Sequence, residues 1–97
     1  MTVKQVKVTE VGPRDGFQSE KTVLKTEDKV DIINHLIEAG FRRIEVSSFV
    51  SPKAIPQLAD AATILDNVKR NSNTTLAALV PNAKGALRAV DAKLDEI

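Results

Sequence analysis

Leu76-Ala77-Ala78-Leu79-Val80 is an unbroken apolar run stopped by Pro81-Asn82. A run this short, closed by turn-forming residues, reads as a strand covered on both faces, the situation of strands in parallel sheets flanked by helices. Upstream, Asn71-Ser72-Asn73 is loop-like, and before it Leu58, Ala61 or Ala62, Leu65 and Val68 recur at helical spacing. Pro56 suits the first turn of that helix, because its missing N–H would have had no partner there. Ile44-Glu45-Val46-Ser47 is a second short strand, followed by a loop at Ser51-Pro52-Lys53.

Further upstream, Val30, Ile33 and Ile37, widened by Ile32 and Leu36, predict an amphipathic helix over Thr26 to Ala39. Thr26 can cap its start, Glu27 and Asp28 suit the positive end of the dipole, and Gly40 can take the left-handed position after the last turn. Val6 to Val11 alternates with period two and ends at Gly12-Pro13, which predicts a strand. Downstream, a weaker helix is expected from Ala83 to Ala92 and a fourth strand from Leu94 to Ile97.

The order β-α-β-α-β-α-β, with crossovers of helical length, calls for an α/β fold with a parallel sheet. An open flavodoxin-like sheet closes on about five strands, whereas a (β/α)8 TIM barrel needs about 250 residues. The chain stops inside an apolar-containing strand segment at Ile97, and its chemistry-bearing residues follow strand ends. We therefore expect a truncated chain in which residues 1–97 form the first three to four strands of a single barrel domain.

Composition narrows the function. Fourteen basic and thirteen acidic residues are scattered over 97 positions, for a net charge of +1, and no block of like charge forms a patch for nucleic acid or anionic lipid. Cysteine is absent, which excludes disulfides and thiolate metal sites. Met1 to Val8 alternates towards a strand and has no apolar stretch of signal-peptide length, and no run approaches the roughly 20 apolar residues of a membrane span. A soluble, cytoplasmic protein is the expectation. Single glycines at 12, 16, 40 and 85 form no nucleotide-binding loop, and the lone histidine, His35, lies mid-helix, away from the strand ends.

Arg14 and Asp15 stand side by side just past the first strand, between Pro13 and Gly16. Pro-x-Asp-Gly sequences are good turn formers, so this could be a turn and nothing more. Glu45 adds to it: on the next strand it shares a face with Ser47, and adjacent parallel strands would bring it close to the pair. Carboxylates beside an arginine suit a hard divalent cation, Mg²⁺ or Mn²⁺, and a substrate oxyanion. A salt bridge of Glu45 with Arg42, Arg43 or Arg14 is the plainer alternative. Lys21 and Lys53 lie in loops and read first as solvated lysines, with contact to the tail of an anionic ligand the lesser alternative, and Asn82 follows the third strand.

Glu10 to Gln18, EVGPRDGFQ, resembles the first-strand motif of the 3-hydroxy-3-methylglutaryl-CoA lyases, and Glu45 to Lys53, EVSSFVSPK, resembles their second-strand segment. The likeness runs on through Pro56-Gln57 and Val80-Pro81-Asn82, so it covers nearly the whole chain. Sister synthases of the same metallolyase superfamily have a Thr-Leu-Arg-Asp-Gly form where Gly12-Pro13 stands here. The resemblance implies a TIM barrel that cleaves 3-hydroxy-3-methylglutaryl-CoA to acetyl-CoA and acetoacetate with a divalent cation. Asp15 would be a metal ligand, Arg14 would stabilise the enolate, Gln18 and Ser48 would contact substrate, and Glu45 would hold water on the metal or sit behind its ligands. The family's two metal histidines, metal asparagine and loop cysteine have no counterpart here, so this chain alone is expected to be inactive. A self-associating, non-catalytic half-barrel and a Claisen-type synthase are the competing expectations.

Overall fold

The computed structural model describes residues 6–97, so the alternation read over residues 1–5 lies outside the described residues. Two parallel strands, β1 (Arg43–Ser48) and β2 (Thr75–Leu79), form the sheet, and three α-helices accompany them: α1 (Thr26–Glu38), α2 (Ala61–Asn67) and α3 (Ala83–Asp91). Both flanks of this pair carry one further parallel bridge each, Glu10 to Ile44 on the β1 side and Ala77 to Glu96 on the β2 side. Four parallel segments thus lie in chain order. Doubly wound open sheets reverse direction at a switch point, while a barrel adds each strand on the same side as the last.

The outer two segments correct the expectation of full strands at Val6–Val11 and Leu94–Ile97. Each is paired on one side only, and Val6 and Val8 are exposed, so neither gains the two-sided burial that extends β1 and β2. What holds them is local: Glu10 N–H donates to Arg43 O at 3.0 Å and Glu10 O accepts from Glu45 N–H at 2.9 Å. On the other flank Asp95 caps Leu76 N–H through its carboxylate at 2.9 Å, and Ala78 N–H reaches Glu96 O at 3.2 Å.

The core lies between the sheet and α1 and α2. Ile33 and Ile37 of α1, Ile64 and Leu65 of α2, Ile44 and Val46 of β1, and Leu76 and Ala78 of β2 are all buried in one cluster with Phe49 and Ala89. Burying a side chain of this kind is worth about 1.5–3 kcal/mol, which is why the stripe on α1 sets its orientation. Gly40 takes φ 95° after α1, as its position foretold. Thr26 does not cap: Lys25 occupies that position without a side-chain bond, and the Thr26 hydroxyl donates instead to Asp60 Oδ2 at 2.6 Å. The helix expected from Pro56 is broken into a 3-10 turn at Pro56–Leu58 and the separate α2. No helix among the described residues is long and apolar enough to cross a membrane.

α3 approaches the end of β1 very closely. A Cβ placed on Gly85 would lie 2.5 Å from the Phe49 carbonyl oxygen, which is backbone and cannot swing aside. Arg88, one turn on, covers the Phe49 ring at 5.4 Å. Gly85→Ala is therefore expected to destabilise the fold by about 1–3 kcal/mol, the cost of overpacking, despite the better helix propensity of alanine. Urea titration measures it, and a midpoint at or above the wild-type value would contradict this packing.

Glu96 also bonds through its carboxylate to the Arg43 guanidinium of β1, spanning β2. That hydrogen bond pulls the Glu96 carboxyl below its ordinary value of 4.5 and pushes the Arg43 guanidinium further up. A carboxyl depressed on folding adds stability above its unfolded pKa and loses it as pH falls through the folded one. Comparing denaturant midpoints at pH 7 and in the range below 4.5, Glu96→Gln is expected to show the smaller drop; equal drops would show that the pair does not form in solution.

Candidate active site

The first bridge delivers Glu10 to the edge of β1, and the chain then turns sharply. Gly12–Gly16 forms a single wide π-type turn, in which Val11 O accepts both Arg14 N–H at 3.1 Å and Asp15 N–H at 2.7 Å, and Phe17 N–H reaches back to Gly12 O. The Pro-x-Asp-Gly expectation of a tight turn is thus enlarged to a helical one. Such turns are uncommon and recur at functional sites. Glu10 starts it by accepting the Gly12 N–H on Oε1 at 3.1 Å, a contact that the sequence reading did not single out.

This turn sets Arg14 facing β1, where its Nε donates to Glu45 Oε1. Both side chains are mostly covered, at 21% and 16% exposure. The same guanidinium only grazes Asp15, with Nη1 at 3.5 Å from Oδ1, and the Asp15 side chain remains 65% exposed. The plain salt-bridge alternative for Glu45 is therefore present, with Arg14 as the partner, and the juxtaposition expected from adjacent strands is present with it. Gln18 is half-buried just beyond the turn, and Ser48 is buried at the end of β1 opposite Leu79.

The expectation that Glu45 and Ser47 simply share a face is modified. The pairing of β1 with β2 shifts by one between them, leaving Val46 as the extra residue, and Val46, Ser47 and Ser48 are buried in succession. Ser47 Oγ is buried and has no hydrogen-bond partner among the described residues. Asn82, noted as a polar residue after a strand, has a local job: its Oδ1 accepts Gly85 N–H at 2.9 Å and caps α3. Lys21, Lys53 and His35 are exposed.

Among the described residues no group of three or more His, Asp or Glu side chains comes together as a metal cluster. The donor chemistry still fits one corner of a hard-cation site. The Asp15 carboxylate, in only a loose 3.5 Å ion pair with Arg14, stays largely open to solvent, and carboxylate oxygens are donors that suit Mg²⁺ or Mn²⁺. One carboxylate with water leaves the remaining positions to other protein groups or substrate.

A family model described as HMGL-like matches residues 5–97. The chain belongs to the HMGL-like family. It is 48% identical over 94 residues to the mitochondrial hydroxymethylglutaryl-CoA lyase of Macaca fascicularis, covering 97% of this chain and 29% of that protein. An HMG-CoA lyase from Acinetobacter baumannii, solved in complex with coenzyme A and 3-methylmalate, superposes with a TM-score of 0.86 at 50% identity, over 88% of this chain and 28% of that one. The HMG-CoA lyase of Brucella melitensis superposes with a TM-score of 0.92 at 43% identity, over 98% of this chain and 34% of that one. The chain thus spans about 30% of the length of these HMGL-like relatives, in keeping with part of a barrel.

The Arg14–Glu45 contact is directly measurable. With Nε engaged by a mostly covered carboxylate, the Arg14 Nε–H proton is expected to exchange slowly enough to give a separate nitrogen-15 correlated resonance. Glu45→Gln keeps the side-chain shape and removes the charge, so this resonance should broaden or merge with those of the other arginines. An Arg14 signal unchanged in Glu45→Gln would remove Glu45 as its partner.

Proposed function

We propose that residues 1–97 form the N-terminal part of a single (β/α)8 domain, in a carbon–carbon lyase that cleaves 3-hydroxy-3-methylglutaryl-CoA into acetyl-CoA and acetoacetate. The observation that carries this reading is the division of labour at the turn: Arg14 is bonded through Nε to Glu45, while Asp15, next to it, stays mostly exposed with only a loose 3.5 Å ion pair to Arg14. Membership of the HMGL-like family and likeness to hydroxymethylglutaryl-CoA lyases support the reaction. The coenzyme A bound to the Acinetobacter relative supports an acyl-CoA as the substrate class. Val6 and Val8 on one flank and Leu87 and Val90 on α3 are exposed apolar residues, as expected of faces that neighbouring βα units cover in a closed barrel.

The reaction breaks one C–C bond. Loss of the tertiary hydroxyl proton lets the oxygen form the ketone of acetoacetate, and the electron pair of the broken bond passes to the thioester carbon unit as an enolate. Protonation of that enolate carbon gives acetyl-CoA. Arg14 would meet the charge on the enolate oxygen, and Glu45, bonded to Nε, would fix the plane of the guanidinium before charge develops. Asp15 would hold the divalent cation, which supplies Lewis-acid polarisation of substrate oxygens. Gln18 and the buried Ser48 would line the pocket next to them, and Lys21 and Lys53 lie in the loops that could meet the anionic tail.

The test uses the full-length protein. Arg14→Lys keeps the charge but loses the Nε donor and the planar fork, and acetoacetate formation is expected to fall about 100- to 1000-fold in kcat, the scale of losing one oxyanion donor. In Asp15→Ala, the relaxation enhancement on Mn²⁺ titration should weaken. A wild-type protein that does not cleave the acyl-CoA overturns the reading, and an unaltered Mn²⁺ titration removes Asp15 from the metal.

A further inference from the structure

Lys29 is the only charged side chain among the described residues that is buried, at 1% exposure, and it lies on α1 rather than in the turn that carries Arg14 and Asp15. Its ammonium donates to Asp60 Oδ1 at 2.8 Å and to Gln57 O at 2.5 Å, and it lies 6.0 Å from the centre of the Phe17 ring. The other Asp60 oxygen accepts from Thr26 at 2.6 Å. Gln57, whose carbonyl binds the lysine, donates through its own Nε2 to Glu20 O at 3.1 Å. Three segments therefore converge on one buried charge: Phe17 to Glu20 behind the active turn, the start of α1, and the 3-10 turn at Pro56–Leu58.

We propose that Lys29 is a positioning residue that fixes the Arg14–Asp15 turn from behind, through the Phe17 ring and the Gln57–Glu20 contact. The turn needs such a backing. Past Gly16, Ser19 N–H bonds only to Asp15 and Gly16 carbonyls and Glu20 N–H only to Phe17 O, so the segment has no strand or long helix to anchor it. A buried ammonium loses most when one of its partners moves, since an unmet charged donor in the interior is costly. It therefore resists displacement of both loops at once. A lysine that merely anchored α1 would need Asp60 and Thr26 but neither Phe17 nor the Gln57–Glu20 contact.

The activity part of the test rests on the lyase reading, whereas the exchange part does not. In the full-length protein, Lys29→Met is expected to speed amide hydrogen exchange at Ser19 and Glu20 about tenfold or more, with Ile33 and Ile37 of α1 close to wild type. Misplacing a catalytic group by about an ångström can cost on the order of 100-fold, so kcat should fall at least tenfold with KM little changed, and Lys29→Arg should recover most of it. Should Lys29→Met fail to fold, Phe17→Leu removes only the ring, and loop exchange should rise about fivefold, the equivalent of one cation–π contact. Loop exchange unchanged in the folded variant, or rising in step with α1, overturns the proposal. If the wild type does not cleave the acyl-CoA, the lyase reading fails and the exchange result alone decides for or against Lys29.

Discussion

β1 is hydrogen-bonded on both sides, to Glu10 on one and to β2 on the other, and everything else in the chain is placed relative to it. Ile44 and Val46 are fully buried in the core with α1 and α2, while Glu45 between them belongs to a different environment. Core and site are thus two consequences of one register. A slip by one residue would bring Glu45 into the apolar layer, where an unpaired carboxylate is prohibitive, so packing and site chemistry enforce the same alignment. The same bond network that seats Glu10 also sets where the chain begins to turn, because Glu10 O accepts from Glu45 N–H.

Much of this was legible because it rests on local patterns. The stripe on α1, the apolar run of β2, Gly40 in the left-handed region and the turn after Val11 each have a cause within a few residues of themselves. The adjacency of Arg14 and Glu45 was legible too, since consecutive parallel strands place successive strand ends side by side. The features that escaped arise from long-range partners. Thr26 has the right chemistry for a cap, but Asp60, far along the chain, takes its hydroxyl. That same Asp60 is held by Lys29 at the point where the expected helix from Pro56 is interrupted.

Lys29 itself left a signal that periodicity could have used. It stands four residues before Ile33 and eight before Ile37, on the buried stripe, where a lysine conflicts with the pattern around it. Conflicts between local rule and position are where functional or strained sites concentrate. Lys93 is a second such case: it ends α3 with φ 60°, a place usually taken by glycine, while its carbonyl accepts from Arg70 at 2.5 Å. Ser47, buried with no partner for its hydroxyl among the described residues, is a third, and it sits two residues from Glu45.

The charges at the turn give Glu45 a place in the proposed chemistry. Arg14 beside Asp15 with nothing else would form a neutral pair, and the carboxylate would be spent on the guanidinium. With Glu45 added, the three side chains carry a formal charge of −1, and geometry decides where it resides. Arg14 is committed through Nε to Glu45, its contact with Asp15 is a loose 3.5 Å, and Asp15 keeps most of its surface. A hard cation needs carboxylate oxygens that it can still reach. An arginine meant to meet a substrate oxyanion requires an orientation fixed in advance, since reorganising it during the reaction would forfeit much of its electrostatic effect. One glutamate on the neighbouring strand meets both requirements, and so Glu45 would act on the chemistry without itself having to touch either metal or substrate.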